Sequence, residues 1–191
     1  MAKDYKLIVG LGNYPKEYYY TRHNIGFLII DALRNGYFEY HGRAGKDFCD
    51  FSEWKDSKRA KGELSYGVFF GRDCILLKPK TYMNLSGESV FSVIKFYKIK
   101  PQDLIVIQDE MEIPFGAIKI SVSRNSAGHN GIKSINSIVN GQYSRLRIGI
   151  GRPKIEKQDV SSYVLSKFSN EEINKFDEIF TNSILTLKTI L

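Results

Sequence analysis

The sequence has few of the residues that several common kinds of site require. Its 191 residues include two cysteines, Cys49 and Cys74, and they form no Cys-x-x-Cys pattern. We therefore expect neither a paired-thiol redox motif nor a cysteine-based metal site. No Gly-x-Ser-x-Gly motif occurs, which argues against a serine nucleophile on a strand-to-helix turn. Gly10 and Gly12 lack the third glycine that a dinucleotide-binding loop needs.

Long apolar runs are also missing. No stretch approaches the roughly 20 apolar residues that a membrane-spanning helix needs. Residues 1–6 lead directly into a strand-like segment, without the apolar core or cleavage site of a secretory signal. Two cysteines in such a chain are typical of a reducing compartment. We therefore expect a cytoplasmic location.

The chain is basic and has an ordinary apolar content. Apolar residues make up 42% of it and charged residues 26%, which is the balance of a globular domain with one core. The 28 Lys and Arg residues exceed the 21 Asp and Glu residues, for a net charge of +7. Such a charge favours an anionic partner, with nucleic acid as the first candidate. The alternative is that the charge is spread over the surface and only aids solubility.

Apolar periodicity predicts alternating strands and helices. The predicted strands are Lys6 to Leu11, Glu63 to Phe70, Asp73 to Lys78, Leu104 to Ile107, Ala117 to Val122 and Leu146 to Ile150, with a weaker one near Phe48 to Trp54. The predicted helices are Ile25 to Leu33, Leu85 to Tyr97, Ile132 to Val139 and Ser169 to Leu191. This alternation predicts an α/β layered fold in one domain, residues 1–191. A hairpin around Gly71-Arg72 predicts a mixed sheet.

Four polar clusters follow strand-like runs. They are Asn13 with His23, Tyr82-Met83-Asn84, Gln108-Asp109-Glu110, and Gly128-His129-Asn130-Gly131. Ligands of open α/β sheets bind beyond the strand ends, so these loops are expected to converge on one site. A histidine can take a proton from water near pH 7, a carboxylate can orient that histidine, and amides can donate to an oxyanion. The inventory favours hydrolysis of an activated acyl bond with water as the nucleophile.

Each of these residues also has a structural explanation. Asn13 and Asp109 are common turn formers after a strand, and His23 before a helix can be a capping or core histidine. Asn84 and Asn130 can cap the helices that follow them. Composition and spacing alone leave these alternatives open.

Five stretches of the chain resemble the motifs of the bacterial peptidyl-tRNA hydrolase family, in the family's order and with similar spacing. They are residues 9–13 (VGLGN), 21–27 (TRHNIGF), 80–87 (KTYMNLSG), 128–131 (GHNG) and 145–153 (RLRIGIGRP). The resemblance implies a single-domain, three-layer α/β/α fold around a mixed, twisted sheet. It implies cleavage of the ester between a peptide and the 3′ ribose of tRNA, which recycles tRNA from aborted translation. It also implies a monomer without a metal or other cofactor.

The resemblance implies a role for each matching residue. His23 would be the general base that activates water, and Asp109 would orient it, either directly or through a water molecule. Asn13 and Asn84 would position the substrate and the water and stabilise the oxyanion, and Asn130 would bind the peptide or the tRNA 3′ end. The crevice would be lined by Tyr18 and Met83, Tyr82 would bind the substrate, and His129 would support the hydrogen bonding of the site.

Basic residues flank the second half of this proposed site. They are Lys119, Arg124, Lys133, Arg145 and Arg147. As phosphate contacts to the acceptor stem they would give salt-dependent binding with little sequence preference. The alternative is a solvated basic face, or an arginine such as Arg147 paired internally.

The chain departs from the family pattern at three places. The usual Asn-Pro-Gly after the first strand is Asn13-Tyr14-Pro15 here. The glycine-rich run before the Gly-His-Asn-Gly motif is replaced by residues 123–127 (SRNSA), which predicts a stiffer loop. The residue before Asp109 is Gln108, where the family often has histidine. None of these changes removes a residue proposed for the chemistry.

Two other functions remain compatible with this sequence. An RNA-binding relative without catalysis would keep the basic face but could lose His23 or Asp109. A hydrolase of small acyl esters on the same fold would not need the basic face. Retention of both residues and of the three asparagines favours hydrolysis of peptidyl-tRNA.

Overall fold

Strands and helices alternate along the computed structural model, which describes residues 4–122, 125–153 and 159–191. Within these ranges the strands are β1 Lys6–Gly10, β2 Glu39–Tyr40, β3 Arg43–Ala44, β4 Cys49–Phe51, β5 Lys55–Ser57, β6 Gly62–Phe69, β7 Arg72–Pro79, β8 Leu104–Glu110, β9 Ile118–Ser121 and β10 Ser144–Gly149. The α-helices are α1 Ile25–Asn35, α2 Ser86–Tyr97, α3 Asn130–Ile138, α4 Val160–Val164, α5 Asn170–Ile173 and α6 Phe176–Lys188. None of these helices is both long enough and apolar enough to cross a membrane.

An eight-stranded mixed sheet forms the centre of the fold. Its strands lie in the order β4-β6-β7-β1-β8-β10-β9, and β5 also pairs with β6. The four central strands β7, β1, β8 and β10 are parallel, whereas the outer pairs are antiparallel. The β6–β7 hairpin turns at Phe70 and Gly71, which both have positive φ, as a two-residue hairpin turn requires. The expected mixed α/β sheet is confirmed.

The side chains of the central strands alternate between two apolar layers. In β1, Ile8 lies in the core that contains α1 and α6, whereas Leu7 and Val9 lie in the core that contains α2 and α3. In β8, Ile105 belongs to the first core and Val106 to the second. Successive strand residues point to opposite faces, so an apolar strand of this kind needs cover on both sides. The result is a three-layer α/β/α arrangement.

Two glycines let α1 pack directly on the sheet. A Cβ on Gly26 would lie 2.5 Å from the backbone N of Leu11 and 2.6 Å from the backbone O of Ile107. A Cβ on Gly10 would lie 2.4 Å from the backbone O of Gly26. Neither contact leaves room for a side chain. The first turn of α1, and the 3₁₀ turn Arg22–Asn24 before it, are therefore held at the carboxyl end of β1.

Three expectations about the elements need correction. Gln108, Asp109 and Glu110 lie within β8 rather than beyond it, because parallel pairing with β10 continues to Glu110. The tail predicted as one helix is divided into α5 and α6, since the backbone at Lys175 leaves helical geometry. Between the first helix and the β6–β7 hairpin the sequence predicted only a weak strand near Phe48 to Trp54, whereas the structure has β2 to β5 there, and β4 and β5 are ordered by antiparallel pairing with β6.

Candidate active site

His23 and Asp109 are 86 positions apart in the sequence and are hydrogen-bonded in the structure. His23 lies in the 3₁₀ turn before α1, and Asp109 lies in β8. Nδ1 of His23 is 2.8 Å from Oδ1 of Asp109. The two residues are only 8% and 3% exposed. The contact between them is direct, a point that the sequence left open.

His129 donates to the same carboxylate oxygen from the other side. It is the N-cap residue of α3, where its Nδ1 accepts from the backbone N–H of Gly131 at 3.1 Å and of Ile132 at 3.4 Å. An accepting Nδ1 carries no proton, so the proton of the neutral ring is on Nε2. Nε2 lies 3.0 Å from Oδ1 of Asp109 and donates to it. The cap of this helix is therefore His129 and not Asn130.

The shared oxygen of Asp109 fixes how His23 is protonated. Burial favours a neutral carboxyl group, but the interactions with His23 and His129 outweigh burial and hold the pKa of Asp109 well below its usual value. Asp109 is then only an acceptor, so Nδ1 of His23 donates. Burial lowers the pKa of His23, yet the charge and hydrogen bond of Asp109 outweigh it and raise that pKa above 6.5. Nε2 of His23 has no hydrogen-bond partner within the described ranges, which leaves it available to water or substrate.

The side-chain amide of Asn24 holds the loop that carries Asn13. Its Oδ1 accepts from the backbone N–H of Asn13 at 2.8 Å, and its Nδ2 donates to the backbone O of Asn13 at 2.9 Å. Asn24 is 1% exposed and, although it directly precedes α1, its side chain does not cap that helix. This contact could not be predicted from the sequence, because an asparagine before a helix is equally well explained as its cap.

A cleft of about 600 Å³ opens beside these residues. Its polar lining includes Asn13, His23, Asp109, Glu110, His129 and Asn130, with Asp159 and Ser161 on the side of α4. Its apolar lining includes Met83, Met111, Val160, Val164 and Leu165. The last three of these lie in or directly after α4, a segment for which the sequence predicted no role. A cleft lined by both polar and apolar residues suits a substrate that carries both a reactive ester and side chains.

Three residues expected to hold substrate do not line this cleft. Tyr82 is 75% exposed at the start of the 3₁₀ turn Met83–Leu85, and Asn84 is exposed within that turn. Tyr18 is half-buried in a 3₁₀ turn of the loop before His23. Only Met83 of the Tyr82-Met83-Asn84 cluster reaches the cleft, where it is 6% exposed.

The basic residues differ in how accessible they are to an anion. Lys119 in β9 and Lys133 in α3 are exposed, and Arg124 lies outside the described residues. Arg147 donates from Nε and Nη2 to Oε2 of Glu110, at 3.1 and 2.9 Å. The prediction that Arg145 contacts phosphate is wrong, because that residue is 2% exposed and donates to Oε1 of Gln108 at 3.3 Å.

His23, Asp109 and His129 are also the described residues whose arrangement could hold a metal ion, with ligand atoms within 4.8 Å of one another. Zinc binds imidazole nitrogen at about 2.0–2.1 Å. Here Nδ1 of His23 and Nε2 of His129 lie at hydrogen-bond distances of 2.8 and 3.0 Å from the carboxylate oxygen of Asp109. A metal ion would have to displace both hydrogen bonds. The geometry fits an oriented histidine base better than a metal centre.

Comparisons with known proteins identify one family. A family model described as peptidyl-tRNA hydrolase matches residues 7–191. A peptidyl-tRNA hydrolase of Rickettsia africae (strain ESF-5) is 40% identical over 189 residues, covering 97% of this chain and 95% of that protein. One of Aliarcobacter butzleri (strain RM4018) is 39% identical over 184 residues, covering 96% of this chain and 91% of that protein.

A solved structure shares the whole fold. The crystal structure of peptidyl-tRNA hydrolase from Acinetobacter baumannii at 1.00 Å resolution matches with a TM-score of 0.83 and 33% sequence identity. The match covers 100% of this chain and 90% of that one. With a family model across almost its full length and relatives near 40% identity, the chain belongs to the peptidyl-tRNA hydrolase family.

Proposed function

We propose that the protein hydrolyses the ester that joins a peptide to the 3′-terminal ribose of tRNA, and so recycles tRNA from aborted translation. Membership of the family supports this substrate. One observation carries the chemistry, namely the 2.8 Å hydrogen bond from Nδ1 of His23 to Oδ1 of Asp109. In the neutral ring this bond places the proton on Nδ1, so that Nε2 can accept a proton at the wall of a cleft large enough for an aminoacyl ester.

In the proposed reaction His23 acts as a general base on water. Nε2 takes a proton as the water oxygen attacks the ester carbonyl carbon, and Asp109 stabilises the imidazolium that forms. The tetrahedral intermediate then collapses, the bond to the ribose oxygen breaks, and the imidazolium returns its proton to that oxygen. The products are free tRNA and the peptide, whose new carboxylic acid loses its proton to solvent and becomes a carboxylate. A positioned general base typically contributes about 10²–10⁴-fold.

Amide side chains would stabilise the developing oxyanion and place the substrate. We assign this role to Asn13 and Asn130, because both line the cleft next to His23. One such donor is worth about 2.7–4 kcal/mol in well-studied enzymes. We assign Tyr82 and Asn84 to the tRNA 3′ end, because both are exposed beside Met83 at the rim of the cleft. We also propose that Tyr18 contacts the tRNA 3′ end.

Two exposed lysines are the proposed contacts to acceptor-stem phosphates. Lys119 and Lys133 lie on β9 and α3, the elements on either side of the loop that leads to His129. Arg147 is a weaker candidate, because its guanidinium is already held by Glu110. Arg124 stays a sequence-based prediction. Phosphate contacts of this kind would let the protein accept many tRNAs.

The remaining proposals concern the state of the protein in the cell. We propose a cytoplasmic monomer that works without a metal ion. The substrate of the family arises in translation, and both cysteines are free and buried, which suits a reducing compartment. The hydrogen bonds among His23, Asp109 and His129 support catalysis without a metal.

Release of an N-acetylated amino acid from tRNA tests the enzymatic proposal. We expect release by the wild type and a loss of about 10²–10⁴-fold in kcat for His23→Ala. His41→Asn is the matched control, because this exposed histidine lies in the β2–β3 turn with a positive φ that asparagine tolerates.

The same experiment separates the competing functions. A wild type that binds tRNA but releases nothing would indicate a binding protein without catalysis. Hydrolysis of p-nitrophenyl acetate without hydrolysis of acylated tRNA would indicate an esterase of small molecules. Release that persists unchanged in His23→Ala would remove His23 from the role of base.

A further inference from the structure

Arg22, the residue before His23, reaches from the base-carrying turn to the segment that follows α4. Its side chain is 11% exposed. Nη1 donates to Oγ of Ser166 at 2.8 Å and to the backbone O of Lys167 at 2.6 Å. Nη2 donates to both carboxylate oxygens of Glu172, at 2.9 and 2.7 Å. One guanidinium thus binds three residues that lie about 145 positions further along the chain.

Aromatic rings complete the surroundings of this guanidinium. Its Cζ lies 4.7 Å from the ring centre of Tyr163 and 5.3 Å from that of Phe168. Cations over aromatic faces at these distances are attracted by the ring quadrupole, more strongly when water is excluded. Tyr163 is itself fixed, because its hydroxyl donates to the backbone O of Ile150 at 2.7 Å. Arg22 therefore contacts a rigid part of α4.

Backbone contacts join the same two segments. The backbone N of Arg22 donates to the O of Ser166 at 3.1 Å, and the N of Phe168 donates to the O of Tyr20 at 3.1 Å. Thr21 and Lys167 form an antiparallel bridge between them. The turn that carries His23 and the end of the α4 segment are thus paired along their backbones, with the Arg22 side chain at the centre of the contact.

The α4 segment lines the cleft with Val160, Val164 and Leu165, which form its apolar wall, and with Asp159 and Ser161 beside them. Leu165 directly precedes Ser166, the first residue that Arg22 binds. The position of this wall relative to His23 therefore depends on the contacts that Arg22 makes with the residues after α4. Apolar side chains suit the amino-acid side chain next to the ester, whereas they offer little to a phosphate or a sugar.

We propose that Arg22 is a positioning residue that sets the distance between His23 and the apolar wall, and that it thereby determines how the side chain of the esterified amino acid is held. The proposal rests on the hydrolysis of peptidyl-tRNA proposed above. A substrate with a bulky apolar residue at the ester uses the wall, and one with glycine does not. Misplacement by about 1 Å costs reactions of this kind about 10²-fold.

The test compares two substrates made on the same tRNA, acylated with N-acetylphenylalanine or with N-acetylglycine. For Arg22→Met we expect kcat/KM to fall about 10²-fold for the phenylalanyl ester. The ratio of phenylalanyl to glycyl kcat/KM should fall by about tenfold or more, the range of discrimination that apolar contacts give. Glu172→Gln removes the charge opposite Arg22 without removing the guanidinium, and should shift the ratio in the same direction by less.

Arg34→Met is the matched control. Arg34 has the same 11% side-chain exposure and also forms an ion pair, with Glu53, but it lies in the last turn of α1 and does not line the cleft. It should leave the substrate ratio at the wild-type value. Thermal unfolding of each variant shows whether it is folded at the assay temperature. If Arg22→Met is not folded there, Glu172→Gln tests the same contact.

The outcomes separate the inference from the function. If the wild type releases both amino acids but neither Arg22→Met nor Glu172→Gln changes the substrate ratio, the positioning role is overturned and the proposed function stands. A ratio that changes equally in Arg34→Met also overturns it, because a general loss of rigidity would then explain the effect. If the wild type releases neither amino acid, the function and the inference both fail.

Discussion

A single carboxylate oxygen connects the two histidines of the site. Oδ1 of Asp109 accepts from Nδ1 of His23 and from Nε2 of His129. Two N–H donors favour the ionised carboxylate despite its burial, as the lowered pKa of Asp109 indicates. The backbone donors at the amino end of α3 fix the tautomer of His129, which then supports Asp109. The protonation of His23 therefore depends on Asp109 in β8 and, through Asp109, on His129 at the amino end of α3.

Asp109→Asn tests this control through the pH dependence of activity. The carboxylate raises the pKa of His23 above 6.5 against the effect of burial, which lowers it. A base must be unprotonated, so wild-type kcat/KM should fall as the pH drops through this raised pKa. Without the carboxylate the pKa of His23 decreases, and the acidic limb should move to lower pH. The plateau should drop about 10²–10⁴-fold, because the amide no longer fixes the tautomer.

The pH profile of Glu112→Gln serves as the comparison for that variant. Glu112 is an exposed carboxylate near the end of β8 and is paired with Arg152. It should leave both the plateau and the acidic limb unchanged. An acidic limb of Asp109→Asn at the wild-type position, or above it, would contradict the proposed effect of Asp109 on His23.

Asn24 provides a second residue-level prediction. Asn24→Ala leaves the backbone N–H and C=O of Asn13 without their buried partner, which costs about 1–3 kcal/mol for an unsatisfied group. The Asn13 loop should shift, so we expect a lower kcat with little change in KM. Asn35→Ala, at the far end of the same helix, should leave both values unchanged. A wild-type kcat for Asn24→Ala would show that the two hydrogen bonds from Asn24 to the backbone of Asn13 are irrelevant to the reaction.

Among the elements, α1 determines where His23 lies, because at Gly26 its backbone also lies directly against the backbone of the sheet. Alanine in place of glycine would normally favour a helix by about 1 kcal/mol. At Gly26, however, the added Cβ would overlap backbone atoms of Leu11 and Ile107. Overpacking of this kind costs about 1–3 kcal/mol. The packing term exceeds the helix-propensity term, so the net effect should be destabilising.

Gly26→Ala should therefore lower both stability and kcat, since the helix that moves also carries the His23 turn. Urea unfolding and release kinetics measure the two effects. Lys95→Ala, at an exposed position of α2, should change the free energy of unfolding by less than about 0.5 kcal/mol. If Gly26→Ala were as stable as the wild type, the close backbone contact would not be a constraint.

The elements themselves were largely predictable, because apolar periodicity reports the burial of strands and helices. The carboxyl end of β8 was not, since Asp109 and Glu110 are polar and their burial depends on His23, His129 and Arg147. These partners come from other parts of the chain, and no local pattern records them.

At the scale of the whole molecule, the site is assembled from segments that no single motif contains. Motif resemblance named His23, Asp109 and Asn130, which line one cleft. It could not separate the exposed Lys119 from the buried Arg145, because both occur in basic, strand-like sequence. It also missed the wall formed by α4, since a short apolar helix can be recognised as part of a binding site only when the cleft beside it is known. Burial and tertiary contacts supply this information.

The distribution of charge leads to a prediction for the whole molecule. The net charge is +7, and Lys119 and Lys133 are exposed near the loop that leads to the cleft. If these lysines contact phosphates, each releases counterions when tRNA binds, and affinity falls as salt increases. We expect Lys119→Gln and Lys133→Gln each to reduce the slope of log Kobs against log salt by about 1, with an unchanged kcat.

The slope is measured by titrating tRNA binding at salt concentrations between about 50 and about 200 mM. Phosphate contacts change affinity strongly in this range. Lys55→Gln is the control, because Lys55 lies in β5, at the opposite edge of the sheet from β9. It should retain the wild-type slope, whereas the Lys119→Gln and Lys133→Gln double variant should lose about 2. A double variant with the wild-type slope would place the tRNA on a different face. A slope that falls equally in Lys55→Gln would show that net charge, and not a defined surface, governs binding.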